Sequence, residues 1–290
     1  MSVRPKILVT GAGGQLGRLV IDALLKTIPA VQIAAFLRST SSASALSDVG
    51  IHVHVGDYGK PKTLVAAFDG IERVLLISSN QLGQRASQHE NVIDAARRVD
   101  VKLLAYTSVL NAPTSPLGLA EEHRQTEAAL RDSGVPFVVL RNGWYSENYA
   151  ARIPAALAHG LLLGSAGEGR IASAARADYA GAAAAVLSAA ENHAGRIYEL
   201  AGDEAYTLPQ FAMELSRQAN MPIAYKNLPE GEFKLALMGA GLPEPIAALL
   251  ADSDIGASKG GLFDDGHQLS RLIGRPTTPV AATISAALRK

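Results

Sequence analysis

The residues best suited to ligand chemistry form a glycine-rich segment near the start of the chain, Thr10-Gly11-Ala12-Gly13-Gly14-Gln15-Leu16-Gly17. It follows the apolar run Ile7-Leu8-Val9, typical of a strand buried on both faces, and opens an amphipathic run from Gln15 to Ile28. Its glycines allow a tight turn, close approach of the backbone to a pyrophosphate, and close packing of helix on sheet. The helix N-terminus would face the anion. The pattern predicts a dinucleotide-binding turn, and a purely structural glycine turn is the alternative.

Arg38 closes the second predicted strand, where enzymes that prefer NAD usually place an acidic residue for the ribose hydroxyl. A cation at this point suits a 2′-phosphate, so it favours NADPH as the cofactor. Ser39, Thr40 and Ser41 would add hydroxyl donors to the same phosphate. A solvated arginine at a strand end is the alternative.

Two further groups of polar residues follow predicted strands. Asp57 comes after the third strand, where this type of fold often contacts adenine, although an Asp before Gly59 is also an ordinary turn residue. Ser78, Ser79 and Asn80 follow the fourth strand and should lie at the carboxyl edge of the sheet, where ligands bind.

The usual acid–base pair of short-chain dehydrogenases, Tyr-x-x-x-Lys on the helix after the fifth strand, is missing. The one literal match, Tyr58 with Lys62, follows the third predicted strand and is attributed to chance. At the expected place stand His123 and Glu127, four residues apart on a predicted helix. His123 would donate a proton or bind the ribose, and an exposed ion pair with Glu127 explains both residues equally well.

The missing acid–base pair limits the kinds of substrate that the protein would reduce. Reduction of a carbonyl must protonate a strongly basic alkoxide, whereas hydride addition to a quinone gives a phenolate with a pKa near about 10, as for Tyr. Such an acceptor reacts mainly through orientation against a nicotinamide. The sequence therefore favours a quinone-like substrate.

Trp144 and Tyr145 are the one adjacent pair of aromatic residues in a chain that is 5% aromatic. They would flank a planar ring, or form a hydrophobic plug between two lobes. The neighbouring Asn142 and Asn148 would bind the ligand or cap a helix.

Alternating apolar and amphipathic runs predict the elements that position these residues. After Ile7-Leu8-Val9, strands are expected at 32–37, 51–55, 74–78, 101–107 and 137–140, which fits a Rossmann-type, doubly wound parallel sheet of the α/β class. Helices at 148–159 and 178–192 and a strand at 196–200 follow, and the chain from Tyr206 reads as a smaller, mostly helical C-terminal lobe. The expected division is a dinucleotide-binding domain at 1–142, with 178–202 returning to it, and a substrate-binding lobe at 143–177 and 203–290. An acidic, glycine-rich stretch containing Asp252, Asp254, Asp264 and Asp265 is expected to be a loop facing the substrate cleft.

The composition of the chain argues against several kinds of partner and binding site. The chain of 290 residues has 27 basic and 27 acidic residues without a long block of either sign, so nucleic acid is not an expected partner. No apolar run reaches the roughly 18 residues of a membrane span, and no export signal is visible, so a cytoplasmic location is expected. There is no cysteine, and the histidines show no metal-ligand spacing, so no metal is expected. A homodimer is compatible with the sequence.

Four segments resemble the NmrA-like atypical short-chain dehydrogenases: 105–108, 140–148, 177–179 and 252–261. The resemblance covers almost the whole chain and implies NADPH-dependent oxidoreductase activity, with residues 142–148 near the nicotinamide. The family also includes NADP-sensing regulators without clear turnover, which is the alternative function.

The predicted site is that of a quinone reductase that uses NADPH without flavin. The catalytic set is Asn142, Trp144, Tyr145 and His123. The cofactor-binding set is Gly11, Ala12, Gly13, Gly14, Gln15, Leu16, Gly17, Arg38, Asp57, Ser78, Ser79, Asn80, Asn142, Gly143, Trp144, Tyr145, Ser146, Glu147 and Asn148.

Overall fold

A computed structural model describes residues 5–39 and 43–289 of the chain. Its main feature is a seven-stranded sheet whose strands lie in the order β3-β2-β1-β4-β5-β6-β8. The pairs β1–β2, β2–β3, β1–β4 and β4–β5 are all parallel. The nine strands of the described residues are β1 (Ile7–Thr10), β2 (Ile33–Leu37), β3 (His52–Val55), β4 (Arg73–Leu76), β5 (Leu103–Val109), β6 (Phe137–Asn142), β7 (Leu161–Gly164), β8 (Ile197–Leu200) and β9 (Ala224–Asn227).

The chain runs outward from β1 to β3 and then returns to add β4 on the other side of β1. This reversal places a topological switch point between the carboxyl ends of β1 and β4, which is where ligands bind in such sheets. The predicted doubly wound fold is confirmed. Its core is apolar, because strands such as β1 and β2 are buried along their whole length.

Thirteen α-helices connect the strands or follow them within the described residues. They are α1 (Gln15–Leu24), α2 (Ala43–Ser47), α3 (Pro61–Phe68), α4 (Arg85–Arg98), α5 (Ala120–Asp132), α6 (Ser146–Ala150), α7 (Ile153–His159), α8 (Arg176–Ser188), α9 (Leu208–Ala219), α10 (Glu230–Gly239), α11 (Glu244–Ser258), α12 (Gln268–Ile273) and α13 (Val280–Leu288). None of them combines the length and the apolar composition needed to traverse a bilayer.

The chain divides into two compact units. The first comprises residues 1–109, 121–141 and 177–198, and the second comprises residues 110–120, 142–176 and 199–290. The segment 110–120 belongs to the second unit by its contacts, although it was predicted to lie in the first. The aromatic residues Tyr149, Tyr206 and Phe211 pack on one another in the second unit, with ring centroids 6.0–6.3 Å apart.

Three local predictions for the second unit differ from the structure. The helix expected at 148–159 is two helices, α6 and α7, because Pro154 in the first turn of α7 cannot donate a backbone hydrogen bond to α6. A two-stranded parallel sheet, β7 with β9, was not predicted, since each strand has four residues. The expected loop around Asp252 and Asp254 is wrong, because both residues lie in α11.

Candidate functional site

The glycine-rich segment forms the turn between β1 and α1, as predicted. Gly11 has a φ of +60°, a conformation that a residue with a Cβ rarely adopts. A Cβ on Gly17 would lie 2.4 Å from the Gly11 carbonyl oxygen, so this glycine lets α1 pack directly on the turn. Ala12 and Leu16 are buried beneath the turn, while Gly13, Gly14 and Gln15 are exposed. Exposed backbone at a helix N-terminus suits an anionic ligand.

Tyr58 ties the two strands of the switch point together. Its hydroxyl oxygen lies 2.5 Å from Oγ1 of Thr10 at the end of β1 and 2.9 Å from the carbonyl oxygen of Ile77, just after β4. Thr10 in turn donates to the Leu75 carbonyl and accepts from the Ile77 amide. Burial raises the pKa of Tyr58 well above its ordinary value, so its hydroxyl keeps its proton. This role of Tyr58 was not predicted from the sequence.

Ser78, Ser79 and Asn80 follow β4 at the same edge of the sheet. The Ser78 amide donates to Oγ1 of Thr107 on β5, at 2.9 Å. Asn80 is exposed, whereas Ser79 is held by side chains of α4. The structure therefore brings these residues to the edge that also carries the glycine turn, as the topology required.

The two other predicted contacts of the nucleotide lie after β2 and β3. Arg38 is exposed and immediately follows β2. Asp57 accepts a hydrogen bond of 2.7 Å from the Gly59 amide through Oδ1, which is the geometry of an ordinary turn residue. Thr40 and Ser41, which were predicted to bind the same phosphate as Arg38, lie outside the described residues.

His123 and Glu127 lie on α5, but they are buried, with 4% and 2% of their surface exposed. Nδ1 of His123 is 2.7 Å from the hydroxyl oxygen of Tyr106 on β5. Burial, and then the positive charge of Arg85, lowers the pKa of His123 well below its ordinary value, so the imidazole is neutral. The interpretation as an exposed ion pair is therefore wrong.

Glu127 instead forms an ion pair with Arg141 at the end of β6. Its carboxylate accepts from Nε and Nη2 of Arg141, at 3.0 and 2.7 Å, and from the Ser108 hydroxyl, at 2.6 Å. The pair joins α5 to β5 and β6 at their carboxyl ends. Asn142 comes next along the chain, so this buried network fixes the start of the segment predicted to lie near the nicotinamide.

The segment 142–148 lies in the second unit and is held by its own polar groups. The Gly143 amide donates to the Leu200 carbonyl, and the Ser146 amide donates to the Ala174 carbonyl. Ser146 also shares a hydrogen bond of 2.8 Å with the Ser173 hydroxyl, which lies 2.7 Å from the hydroxyl of Tyr206.

Three predicted site residues in this segment have structural partners. Both carboxylate oxygens of Glu147 accept from the Arg176 amide at the start of α8, at 3.0 Å. The Arg176 guanidinium lies 4.6 Å from the centre of the Tyr145 ring and 3.4 Å from Oδ1 of Asn148. The interpretation of Asn142 or Asn148 as a helix N-cap is wrong, since α6 begins after Tyr145 and has no side-chain cap.

Two other side chains of the segment are suited to a ligand. Trp144 is half-buried. Oδ1 of Asn142 is buried, and no hydrogen-bond partner for it lies among the described residues. A buried acceptor of this kind is normally satisfied, so it fits a group that donates a hydrogen bond from a bound molecule.

Comparison with known proteins identifies a matching family and a similar enzyme. A family model described as NAD(P)H-binding matches residues 11–190. Quinone oxidoreductase 2 of Escherichia coli (strain K12) is 57% identical over 279 residues, which cover 96% of this chain and 97% of that protein.

Solved structures agree with the sequence matches. An NADPH-dependent quinone oxidoreductase of Escherichia coli, complexed with NADPH, matches with a TM-score of 0.95 and 56% identity, covering 97% of this chain and 99% of that one. A triphenylmethane reductase of Citrobacter sp., complexed with NADP(H), matches with a TM-score of 0.93 and 37% identity, covering 97% and 100% of the two chains.

Proposed function

Because the chain belongs to the NmrA-like, NAD(P)H-binding family, we propose that it reduces quinones with NADPH by direct hydride transfer and without flavin. The observation that carries this proposal is the extensive identity to a quinone oxidoreductase that spans nearly the whole of both chains. Membership confirms the resemblance drawn from the sequence, and the chain is an oxidoreductase with NADPH as its cofactor.

The residues at the switch point fit a dinucleotide. We assign the pyrophosphate to the exposed backbone of Gly13, Gly14 and Gln15, where the turn opens on the N-terminus of α1. Arg38 would pair with the 2′-phosphate, and Ser78 with Asn80 would line the path toward the nicotinamide. The buried Oδ1 of Asn142 offers an acceptor to the nicotinamide end of the cofactor, and Trp144 offers a flat surface to the quinone.

NADPH supplies the hydride when it is bound. The chain itself offers little acid–base help, because the pKa values of Tyr58 and Tyr106 are raised by burial and that of His123 is lowered. A quinone tolerates this, since its phenolate product has a pKa near about 10 and takes a proton from water. The residues of the site therefore act by binding and orienting the two reactants.

The test is steady-state oxidation of NADPH by purified protein whose absorbance spectrum shows no flavin, with and without a simple benzoquinone. We expect turnover that depends on the quinone. Tight binding of NADPH without turnover across several quinones would instead favour the sensor function of some family members.

A second experiment addresses the choice of cofactor. Arg38→Ala should weaken the binding of NADPH by roughly ten- to a hundredfold, because hydrogen bonds to charged groups contribute about 1.5–3 kcal/mol. The binding of NADH should change little. Dissociation constants for both cofactors measure this. Arg98, an exposed arginine on α4, provides the matched control, and Arg98→Ala should change neither constant. Parallel weakening of NADPH and NADH in Arg38→Ala would contradict the assignment.

The homodimer and the cytoplasmic location expected from the sequence stay predictions. Light scattering of the purified protein tests the first, and fractionation of cells tests the second.

A further inference from the structure

One residue of the loop after β4 has all of its polar groups engaged by a single helix. The Ser79 amide donates to Nε2 of His89 at 2.9 Å, and its carbonyl oxygen accepts from Nε of Arg85 at 2.8 Å. Its hydroxyl donates to Oε1 of Gln88 at 2.6 Å. The three partners lie on one face of α4, and all are buried. We call these side chains, Arg85, Gln88 and His89, the α4 clasp.

The contacts of His89 fix its protonation. A backbone amide can only donate, so Nε2 must be the acceptor and the ring proton must lie on Nδ1. Nδ1 is 2.9 Å from Oγ1 of Thr126, whose hydroxyl donates to the Glu122 carbonyl at 2.8 Å. Both ring nitrogens are therefore satisfied in the neutral imidazole. Burial, and then the charge of Arg85, lowers the pKa of His89 to about 3, which agrees with this form.

The clasp leaves the neighbours of Ser79 to face a ligand. Ser78 is half-buried and Asn80 is exposed, and the backbone of Ser79 between them is held at both its amide and its carbonyl. A loop held in this way presents its neighbouring side chains without losing conformational entropy when a ligand binds. Ser79 differs from its neighbours because its amide, its carbonyl oxygen and its hydroxyl are all three bonded to side chains of α4.

We infer that His89 is a positioning residue for the cofactor: it fixes the Ser79 peptide, and thereby orients Ser78 and Asn80 toward NADPH. Ser79 then belongs to the site as an anchored backbone and not as a ligand of the cofactor. This inference rests on the proposed binding of NADPH at the switch point.

Two substitutions at position 89 separate positioning from simple packing. In His89→Gln the amide oxygen can reach the place of Nε2 and still accept from Ser79. In His89→Asn the shorter side chain ends near the place of Nδ1, so it keeps the contact with Thr126 and loses the contact with Ser79. We expect His89→Asn to weaken the binding of NADPH about tenfold, which is the equivalent of one neutral hydrogen bond. The kcat at saturating NADPH should be unchanged. His89→Gln should stay within about threefold of the wild type.

Amide hydrogen exchange of the ligand-free protein provides the direct readout. We expect exchange at Ser79 to be accelerated at least tenfold in His89→Asn and to be near wild type in His89→Gln. Equal losses of NADPH affinity in the two variants would overturn the inference, and so would accelerated exchange with an unchanged dissociation constant. In both cases the proposed function stands, because it is judged by NADPH binding and quinone turnover of the wild type.

A measurement on the wild type keeps the inference testable even if a variant does not fold. Correlation of the imidazole nitrogens and protons by NMR should show His89 as the tautomer protonated on Nδ1, with Nε2 as an acceptor. A proton on Nε2 at neutral pH would overturn the inference.

Discussion

Each unit of the molecule contains a buried carboxylate clamped by an arginine, and the two pairs are built differently. In the first unit, Arg141 approaches Glu127 side-on, through Nε and Nη2. In the second unit, Arg152 approaches Asp254 end-on, through Nη1 and Nη2 at 2.9 and 2.8 Å. Asp254 also accepts from the Ser165 amide, at 3.0 Å.

The residues around each ion pair show what that pair does in its unit. The Arg152 guanidinium lies 4.8 Å from the centre of the Tyr149 ring and 5.1 Å from that of Phe233, and no partner of its buried Nε lies among the described residues. Glu127 instead joins the ends of two sheet strands through Ser108 and Arg141. The same kind of ion pair thus has a different role in each unit. In the second unit it holds helices together beside aromatic rings, and in the first unit it supports the candidate site.

The largest loss of stability is expected for a substitution in the second unit. Asp254→Ala would leave the Arg152 charge buried among aromatic rings, and breaking a buried pair in this way destabilises a protein by about 3–5 kcal/mol. The urea dependence of unfolding measures the loss. Asp94→Ala, which removes the exposed pair with Arg97, should leave the transition close to that of the wild type. A small loss in Asp254→Ala would show that water reaches Arg152.

A smaller loss is expected for Glu127→Gln in the first unit. The amide keeps one acceptor for Arg141 or Ser108 but loses a charge-assisted hydrogen bond, which corresponds to about 1.5–3 kcal/mol. Because Arg141 precedes Asn142, we also expect quinone turnover to fall. Unchanged turnover together with reduced stability would make the two pairs equivalent and remove the distinction between the units.

Acid should weaken the first unit, because its buried histidines are neutral. The folded-state pKa of His89 is about 3, below the ordinary 6.5, so the unfolded chain takes up a proton that the folded chain refuses. Stability is therefore lost as the pH falls from about 6.5 toward 3, by about 2 kcal/mol from His89 at pH 5. His123 acts in the same direction.

Urea unfolding at pH 7 and pH 5 measures this dependence. The His89→Gln variant is the control, since its side chain does not titrate, and it should lose less stability than the wild type. An identical loss in the wild type and in His89→Gln would refute the assignment of the acid effect to the first unit.

The smallest effect concerns catalysis. His123→Ala should lower turnover less than tenfold, because the quinone product needs little proton donation and the imidazole is already neutral and bonded to Tyr106. Steady-state kinetics on protein with an unchanged circular dichroism spectrum measures this. A loss of about a hundredfold in kcat would show that His123 contacts the reacting groups.

The sequence predicted the features that depend on neighbours in the chain. The glycine turn and the strands of the sheet are local, because spacing and apolar runs determine them within a few residues. Contacts between distant residues were not predictable. Glu127 shares a helix with His123, so periodicity suggested that they pair, yet its partner Arg141 lies on β6.

Asp254 shows the same limit in the second unit. Glycines follow it in sequence and suggested a loop, but Ala247, Ala251 and Asp254 lie on one buried face of α11, and the partner of Asp254, Arg152, is far away in the chain. Helix spacing was present in the sequence, but an aspartate on the buried face concealed it. The α4 clasp is also invisible in the sequence, because nothing in the spacing of residues 85–89 identifies Ser79 as the common partner.

The order of strands has a consequence for synthesis on the ribosome. β6 ends at Asn142, and its outer neighbour β8 begins at Ile197, so the edge of β6 stays unpaired while the intervening chain is made. At typical rates of about 5–20 residues per second this interval lasts roughly 3–11 s. An unpaired strand edge is a template for association with other chains. We therefore expect nascent chains stalled between these two strands to be the form most prone to aggregate and the one most dependent on chaperones.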